Sequence, residues 1–164
     1  MSFADELLKK NKPSKIKYSD DLYVNCIIGA IKNQCSYASA NGKKGIKGYL
    51  WKHLDTEYVA DYSCHIVPSV QSKKELSSYA RQHIGVNTVY YPFDSSRDWD
   101  GPLFDLKNST IDMIKSKFDE LGFKNSIIRF DRVEVEKGTK GLMHIVTFTK
   151  TGEVGYLIYV EINW

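Results

Sequence analysis

The residues with the clearest potential for chemistry are a cysteine and a histidine that stand side by side, Cys64 and His65. A thiol needs a base to act as a nucleophile, but neighbouring residues of a strand point to opposite faces of a sheet, so these two cannot serve each other. The chain offers three other histidines as partners: His53, His83 and His144. No nucleophile elbow or family-specific cysteine motif surrounds Cys64. We therefore predict a buried strand thiol and no catalytic residue.

The same region contains residue types that bind zinc. A zinc site here would use Cys64, His65, His53 and Asp55. Zinc sites are usually built from pairs of ligands at short spacing, which place two side chains on one ion. This set lacks such pairs, so the spacing does not favour a zinc site.

A second candidate for metal chemistry is an acidic stretch that resembles a calcium loop. Its first ligand positions would be Ser96, Asp98 and Asp100, followed by Gly101 and the apolar Leu103. A calcium loop ends in a carboxylate that binds the ion through both oxygens. Lys107 occupies that position and would repel the cation, so we expect a surface loop.

A third group has the residue types of a metal-dependent nuclease: Asp131, Glu134, Glu136 and Lys137. A strand would need a carboxylate and a lysine two residues apart to place both on one face. Glu134 and Lys137 are three apart, which favours solvated ion pairs between strands. A metal-dependent hydrolase remains an alternative, but we predict neither a metal ion nor a cofactor.

A lysine-rich segment is the best indication of nucleic-acid binding. It combines cations with aromatic rings: Lys43, Lys44, Lys47, Tyr49, Trp51 and Lys52. Lysines neutralise phosphates and aromatic rings stack on bases, so this mixture suits a groove for a single strand. A glycine-rich turn with solvated lysines explains the same residues.

Aromatic residues make up 13% of the chain. Five of them fall in an irregular stretch, namely Tyr90, Tyr91, Phe93, Trp99 and Phe104. Tyrosine and tryptophan are favoured anchors of protein interfaces, and we therefore predict that this stretch binds a protein partner.

Capping signals and apolar spacing predict four helices. The first runs from Ser2 to just before Pro13, and a basic connector follows it to residue 18. A longer helix extends from Ser19 to about Asn41, with a wide apolar face that includes Tyr37. Ser72 with Glu75 begins a third helix, and Ser109 with Asp112 begins a fourth that ends at Gly122.

Strands are predicted in two regions. Residues 46–67 suit two strands broken at Asp55 and Thr56. The last forty residues read as a three-stranded antiparallel meander, with Gly138 and Gly141 marking one turn and Thr151–Gly152 the next. A switch in apolar parity suggests a bulge near Asp131, and the last strand alternates so that one face meets the core. The fold class is α+β, with N-terminal helices packed on a mainly antiparallel sheet.

Length and composition favour a folded protein. The 164 residues, 42% hydrophobic and 26% charged, fit one domain spanning 1–164. A net charge of +3 is too small to recruit polyanions by its overall field. Three cysteines without a Cys-x-x-Cys unit, an acidic start and the lack of a long apolar run favour a cytoplasmic protein with reduced thiols and no membrane contact.

The opening Met-Ser-Phe-Ala-Asp-Glu-Leu at residues 1–7 resembles the start of small uncharacterised proteins of low-GC Gram-positive bacteria and their prophages. This resemblance implies a bacterial or mobile-element accessory protein and carries no activity. Together these features predict a non-enzymatic cytosolic domain that binds another protein, with nucleic-acid binding and metal-dependent hydrolysis as alternatives.

Overall fold

The computed structural model describes residues 20–54, 62–84, 101–140, 142–144 and 146–164. The elements are α1 (Asp20–Ala40), β1 (Gly45–Leu54), β2 (Tyr62–Val67), α2 (Lys73–Ile84), β3 (Leu103–Phe104), α3 (Asn108–Glu120), β4 (Ile127–Lys140), a 3₁₀ turn (Leu142–His144) and β5 (Val146–Asn163). The predicted α+β class is confirmed, with an N-terminal helix packed on a curled antiparallel sheet, a half-barrel. The helix predicted before Pro13 lies outside the described residues.

Strand β5 pairs with three other strands. On one side it pairs with β4 along most of its length, and on the other side it pairs first with β3 and then with β1. Strand β2 lies outside β1 and pairs with it antiparallel, as the break predicted at Asp55 and Thr56 requires. Between residues 156 and 161, β5 is therefore paired on both of its sides.

The alternation predicted for β5 is confirmed, but both of its faces are buried, not one. Ile158, Val160 and Ile162 pack in a first core cluster beneath α1 and α3. Leu157 and Tyr159 point the other way into a second cluster, which includes residues of α2. The switch in the apolar positions of β4 also arises because the two faces of the sheet meet different core clusters. Phe130 packs against the first cluster and Val133 lies in the second, in a stretch of regular pairing with no bulge at Asp131.

Helix α1 covers the first core cluster and the outer edge of β2. Ile27 and Ile31 are fully buried, whereas Tyr37, predicted on the apolar face, is 75% exposed. Farther along the helix, the Gln34 side chain accepts a hydrogen bond from the N–H of Ile66 and donates one to its C=O. These groups point away from β1, so Gln34 satisfies a strand edge that would otherwise be open.

The two later helices begin differently. The predicted cap of α2 is confirmed: the Glu75 N–H donates to Ser72 Oγ at 3.1 Å, and Glu75 Oε2 accepts from the N–H of Gln71. The cap predicted for α3 at Ser109 is wrong, because this helix already begins at Asn108 after Lys107, which makes no side-chain cap bond. Ser109 therefore lies inside the first turn. Gly122, at φ 76°, follows the end of α3 as predicted.

The C-terminal strands form one long hairpin. The chain reverses at Leu142–His144, just beyond the turn predicted at Gly138 and Gly141, and Gly138 itself lies within β4. Thr151–Gly152 is not a second turn, because β5 continues through it. The pairing with β4 shifts register between Glu134 and Glu136, and Gly152 adopts φ 79° opposite this shift. A bulge thus replaces the turn, and two long strands replace the last part of the predicted meander.

Two glycines offer a matched test of this architecture. Gly48 is buried where β1 and β2 meet, and a Cβ there would collide with the carbonyl of Val67. We expect Gly48→Ala to lower the free energy of unfolding by about 1–3 kcal/mol, since backbone cannot move aside easily. Gly29 lies within α1 with open space around it, so Gly29→Ala should raise that free energy by about 0.5–1 kcal/mol. Urea titrations of both variants measure the difference, and equal effects would contradict the assigned packing.

Candidate functional site

The turn of the β4–β5 hairpin presents two apolar side chains to solvent. Leu142 is 93% exposed and Met143 is 89% exposed, the highest values among the large hydrophobic residues that the structure describes. A turn of this kind usually carries glycine, asparagine or aspartate. These two adjacent apolar side chains bury almost none of their surface within the fold and are accessible to another molecule.

The backbone of the turn carries strain at the same place. Met143 adopts φ 63° and ψ 28°, a left-handed conformation that non-glycine residues rarely take. Such a conformation costs on the order of 1 kcal/mol for a residue with a Cβ. Residues held in this way concentrate at functional sites. The residue with the strained backbone is therefore one of the two exposed apolar residues.

The stem that carries this turn is a two-stranded ribbon. Residues 136–140 pair with residues 146–150, and no other strand in the described part of the chain pairs with either segment. Residues 137–152 contain Lys137, Lys140 and Lys150 and no acidic residue. Lys150 forms an exposed ion pair with Glu134 at 3.1 Å, farther down the stem. The apolar turn thus lies within a basic segment. We call Leu142 and Met143 the hairpin tip.

The aromatic stretch predicted to bind a protein does not form a site in the described residues. Phe104 pairs with Tyr156 in the sheet and is completely buried in the first core cluster, so it cannot contact a partner. It is buried because strand β3 inserts beside β5. Tyr90, Tyr91, Phe93 and Trp99 lie outside the described residues.

The structure separates the members of the lysine-rich segment by their exposure. Lys43, Lys44 and Lys47 are exposed, and two of them line a groove of about 310 Å³ that also includes Glu161 and Asn163. The remaining members are buried: Tyr49, Trp51 and Lys52. Tyr49 packs on Tyr159 with ring centroids 5.2 Å apart, and Trp51 packs edge-on against Tyr79. These two rings are unavailable for stacking on bases, so only lysine contacts to phosphates remain.

The structure brings two of the four predicted zinc ligands together. His53 and His65 lie diagonally across β1 and β2, with His53 Nε2 and His65 Nδ1 2.6 Å apart and the rings stacked. Cys64 points to the other face of the sheet, because it alternates with His65. Asp55 and the side chains of His83 and His144 lie outside the described part of the structure. Within that part, no three potential ligands converge on one point.

Neither acidic group forms a metal site in the described residues. In the first group, Ser96, Asp98 and Asp100 lie outside those residues, while the backbone of Gly101 pairs with Lys52. In the second group, Asp131 Oδ1 accepts from Arg129 Nε at 3.0 Å and Glu134 pairs with Lys150. The side chains of Glu136 and Lys137 are outside the described part. Asp131 and Glu134 therefore pair with two different basic residues, Arg129 and Lys150.

Arg129 connects this acidic group to the second core cluster. Besides Asp131, its guanidinium donates to the hydroxyl of Tyr49 at 3.3 Å and lies 4.7 Å from the ring centre of Tyr159. The hydrogen bond to Asp131 raises the pKa of Arg129, and burial raises the pKa of both tyrosines. The cluster stays cationic at Arg129 and neutral at the two hydroxyls at ordinary pH, which suits a structural contact between β1, β4 and β5.

The sequence analysis missed a pair of thiols. Cys26 on α1 and Cys64 on β2 are both half-buried at the margin of the first core cluster and are hydrogen-bonded to each other. The Cys64 thiol and N–H both donate to Cys26 Sγ, and these bonds lower the pKa of Cys26 below its usual range. Cys35 lies elsewhere on α1, and burial raises its pKa. Residues 38 positions apart carry no local spacing signal, so only the docking of α1 on β2 reveals this pair.

No family model, curated protein or solved structure matches this chain. Among the residues that the structure describes, no helix combines the length and apolar character needed to cross a membrane. The function is therefore argued from the geometry of the molecule.

The two pKa shifts predict a difference in thiol reactivity with pH. Only the thiolate reacts with iodoacetamide, so the modification rate of Cys26 should reach half its maximum at a lower pH than that of Cys35. The measurement is peptide mass spectrometry after brief labelling across a pH series. The midpoint pH is compared rather than the rate, because accessibility changes the rate alone. The same series in urea is the control and should give equal midpoints, and equal midpoints in the folded protein would contradict the assignment.

Proposed function

We propose that this chain is a non-enzymatic binding domain that docks on a protein partner through the hairpin tip. The observation that carries the proposal is the nearly complete exposure of two adjacent apolar side chains, Leu142 and Met143. Exposed apolar residues grouped at one point, rather than scattered, mark interaction sites. The strained backbone of Met143 supports the same view. This conformation costs free energy, and residues held in such conformations cluster at functional sites.

The chemistry around the tip favours a protein over other partners. Leucine and methionine bury well in a preformed apolar pocket, and methionine adapts to irregular pockets. The lysines of residues 137–152 favour a pocket rimmed by carboxylates. A ribbon that inserts apolar wedges into DNA also reads the groove with Arg, Lys, Asn or Gln, and residues 137–152 contain three lysines but no arginine, asparagine or glutamine. Two apolar side chains are also a small anchor for a membrane surface.

The alternative of nucleic-acid binding through residues 43–52 is the weaker proposal. Its lysines are exposed, but Tyr49 and Trp51 are buried and cannot stack on bases. Any such binding would be purely electrostatic and would weaken steeply as salt is raised.

The test starts by identifying the partner at the tip. A photo-crosslinking residue is placed at position 143 and, as a control, at position 37, where Tyr37 on α1 is also largely exposed but far from the hairpin in sequence. A protein crosslinked only from position 143 is purified and its Kd is measured. We expect the double variant Leu142→Ser, Met143→Ser to weaken this Kd at least about tenfold, because a buried anchor is worth on the order of 1.4 kcal/mol or more.

Two controls make this result decisive. Tyr37→Ser should leave the Kd unchanged, and the tip variant should unfold at the same urea concentration as the unmodified chain. An unchanged Kd for the tip variant would overturn the proposal. Loss of binding to duplex DNA, RNA or anionic vesicles in that variant, with no effect on any protein, would assign the tip to one of those partners instead.

A further inference from the structure

The contact between Cys26 and Cys64 follows from how α1 is seated on the sheet. Strand β2 pairs only with β1 among the described strands, so its other edge faces α1. Gln34 bonds to both backbone groups of Ile66 on that edge. Cys64 stands two residues before Ile66, so its N–H points to the same edge and donates to Cys26 Sγ. Gln34 thus fixes the helix to the same edge of the strand, two residues from Cys64.

The two thiols are hydrogen-bonded to each other. The Cys64 thiol donates to Cys26 Sγ, so a bond between them requires a shift from hydrogen-bond contact to about 2.05 Å. Both side chains are half-buried, which leaves them reachable by a small oxidant. Cys35, in contrast, is buried on α1 and cannot reach Cys26, because about 13 Å of helix separates their α-carbons.

We infer that Cys26 and Cys64 form a redox-active dithiol that a peroxide converts into a disulfide bond between α1 and β2. This site is independent of the hairpin tip, so it goes beyond the proposed function. The lowered pKa of Cys26 makes this residue the attacking thiolate.

The reaction balances with a peroxide as the only oxidant. The Cys26 thiolate attacks one oxygen of hydrogen peroxide, the O–O bond breaks, and a sulfenic acid and water form after one proton is taken up. The Cys64 thiolate then attacks the Cys26 sulfur and displaces hydroxide, which is protonated to a second water. Two thiols lose two electrons to the peroxide, and a dithiol reductant reverses the change by thiol–disulfide exchange.

The disulfide would fasten α1 to the free edge of β2. It closes a loop that contains the second half of α1, all of β1 and the start of β2. A link of this kind restricts the unfolded chain. We therefore expect oxidation to raise the midpoint temperature of unfolding by about 5 °C or more.

The experiment compares the three cysteines within one molecule. The purified chain is treated with a small excess of hydrogen peroxide, unfolded, alkylated and digested, and the peptides are mapped by mass spectrometry. We expect a peptide pair joined through Cys26 and Cys64, with Cys35 alkylated. The disulfide should disappear after treatment with dithiothreitol, and the midpoint temperature should fall back with it.

Variants identify the attacking residue. In Cys64→Ser, dimedone should trap a sulfenic acid at Cys26, whereas Cys35→Ser should form the disulfide as readily as the unmodified chain. The mapping on the unmodified chain needs no variant, so poor folding of Cys64→Ser does not remove the test. The inference is overturned if the folded chain forms no Cys26–Cys64 disulfide, or if Cys35 is oxidised as fast as Cys26.

Discussion

The fold depends on a strand that is engaged on all sides. Strand β5 pairs along both of its edges between residues 156 and 161, and its side chains are buried on both faces between residues 157 and 160. Burial of an unpaired backbone group costs more than a hydrogen bond returns, so such a strand can exist only in the middle of a sheet. The two core clusters, and with them the positions of α1 and α2, follow from this placement.

The second constraint is the outer edge of the sheet. An open strand edge invites pairing with other chains, and here α1 covers the edge of β2 with the Gln34 side chain. The same seating brings Cys26 onto Cys64. In the outer half of the β4–β5 hairpin, the two strands pair with each other and with no other described strand. One edge is therefore closed by a helix, while the hairpin tip remains open to solvent.

Much of the fold could be predicted from local sequence patterns. The apolar spacing and caps predicted α1 and α2, and the alternation predicted β5, because these signals depend on neighbouring residues. The second core could not be predicted, since alternating strands usually face water on one side. For that reason the sequence leaves base stacking by Tyr49 and Trp51 open as an alternative, although both side chains are buried. The thiol pair depends on tertiary contact alone. The hairpin tip did have a local signal, because two apolar residues stand together beside a turn. The glycines indicated the turn but not the exposure of these two side chains.

The most direct test of this account is native-state hydrogen exchange of backbone amides. If β5 anchors the molecule and the outer hairpin is free to meet a partner, amides of residues 157–162 should exchange only through global unfolding. Amides that bond across the outer ribbon, within residues 136–140 and 146–150, should then exchange at least about tenfold faster through local opening. Equal protection of the two segments would contradict the account, because it would show that the outer hairpin is part of the stable core.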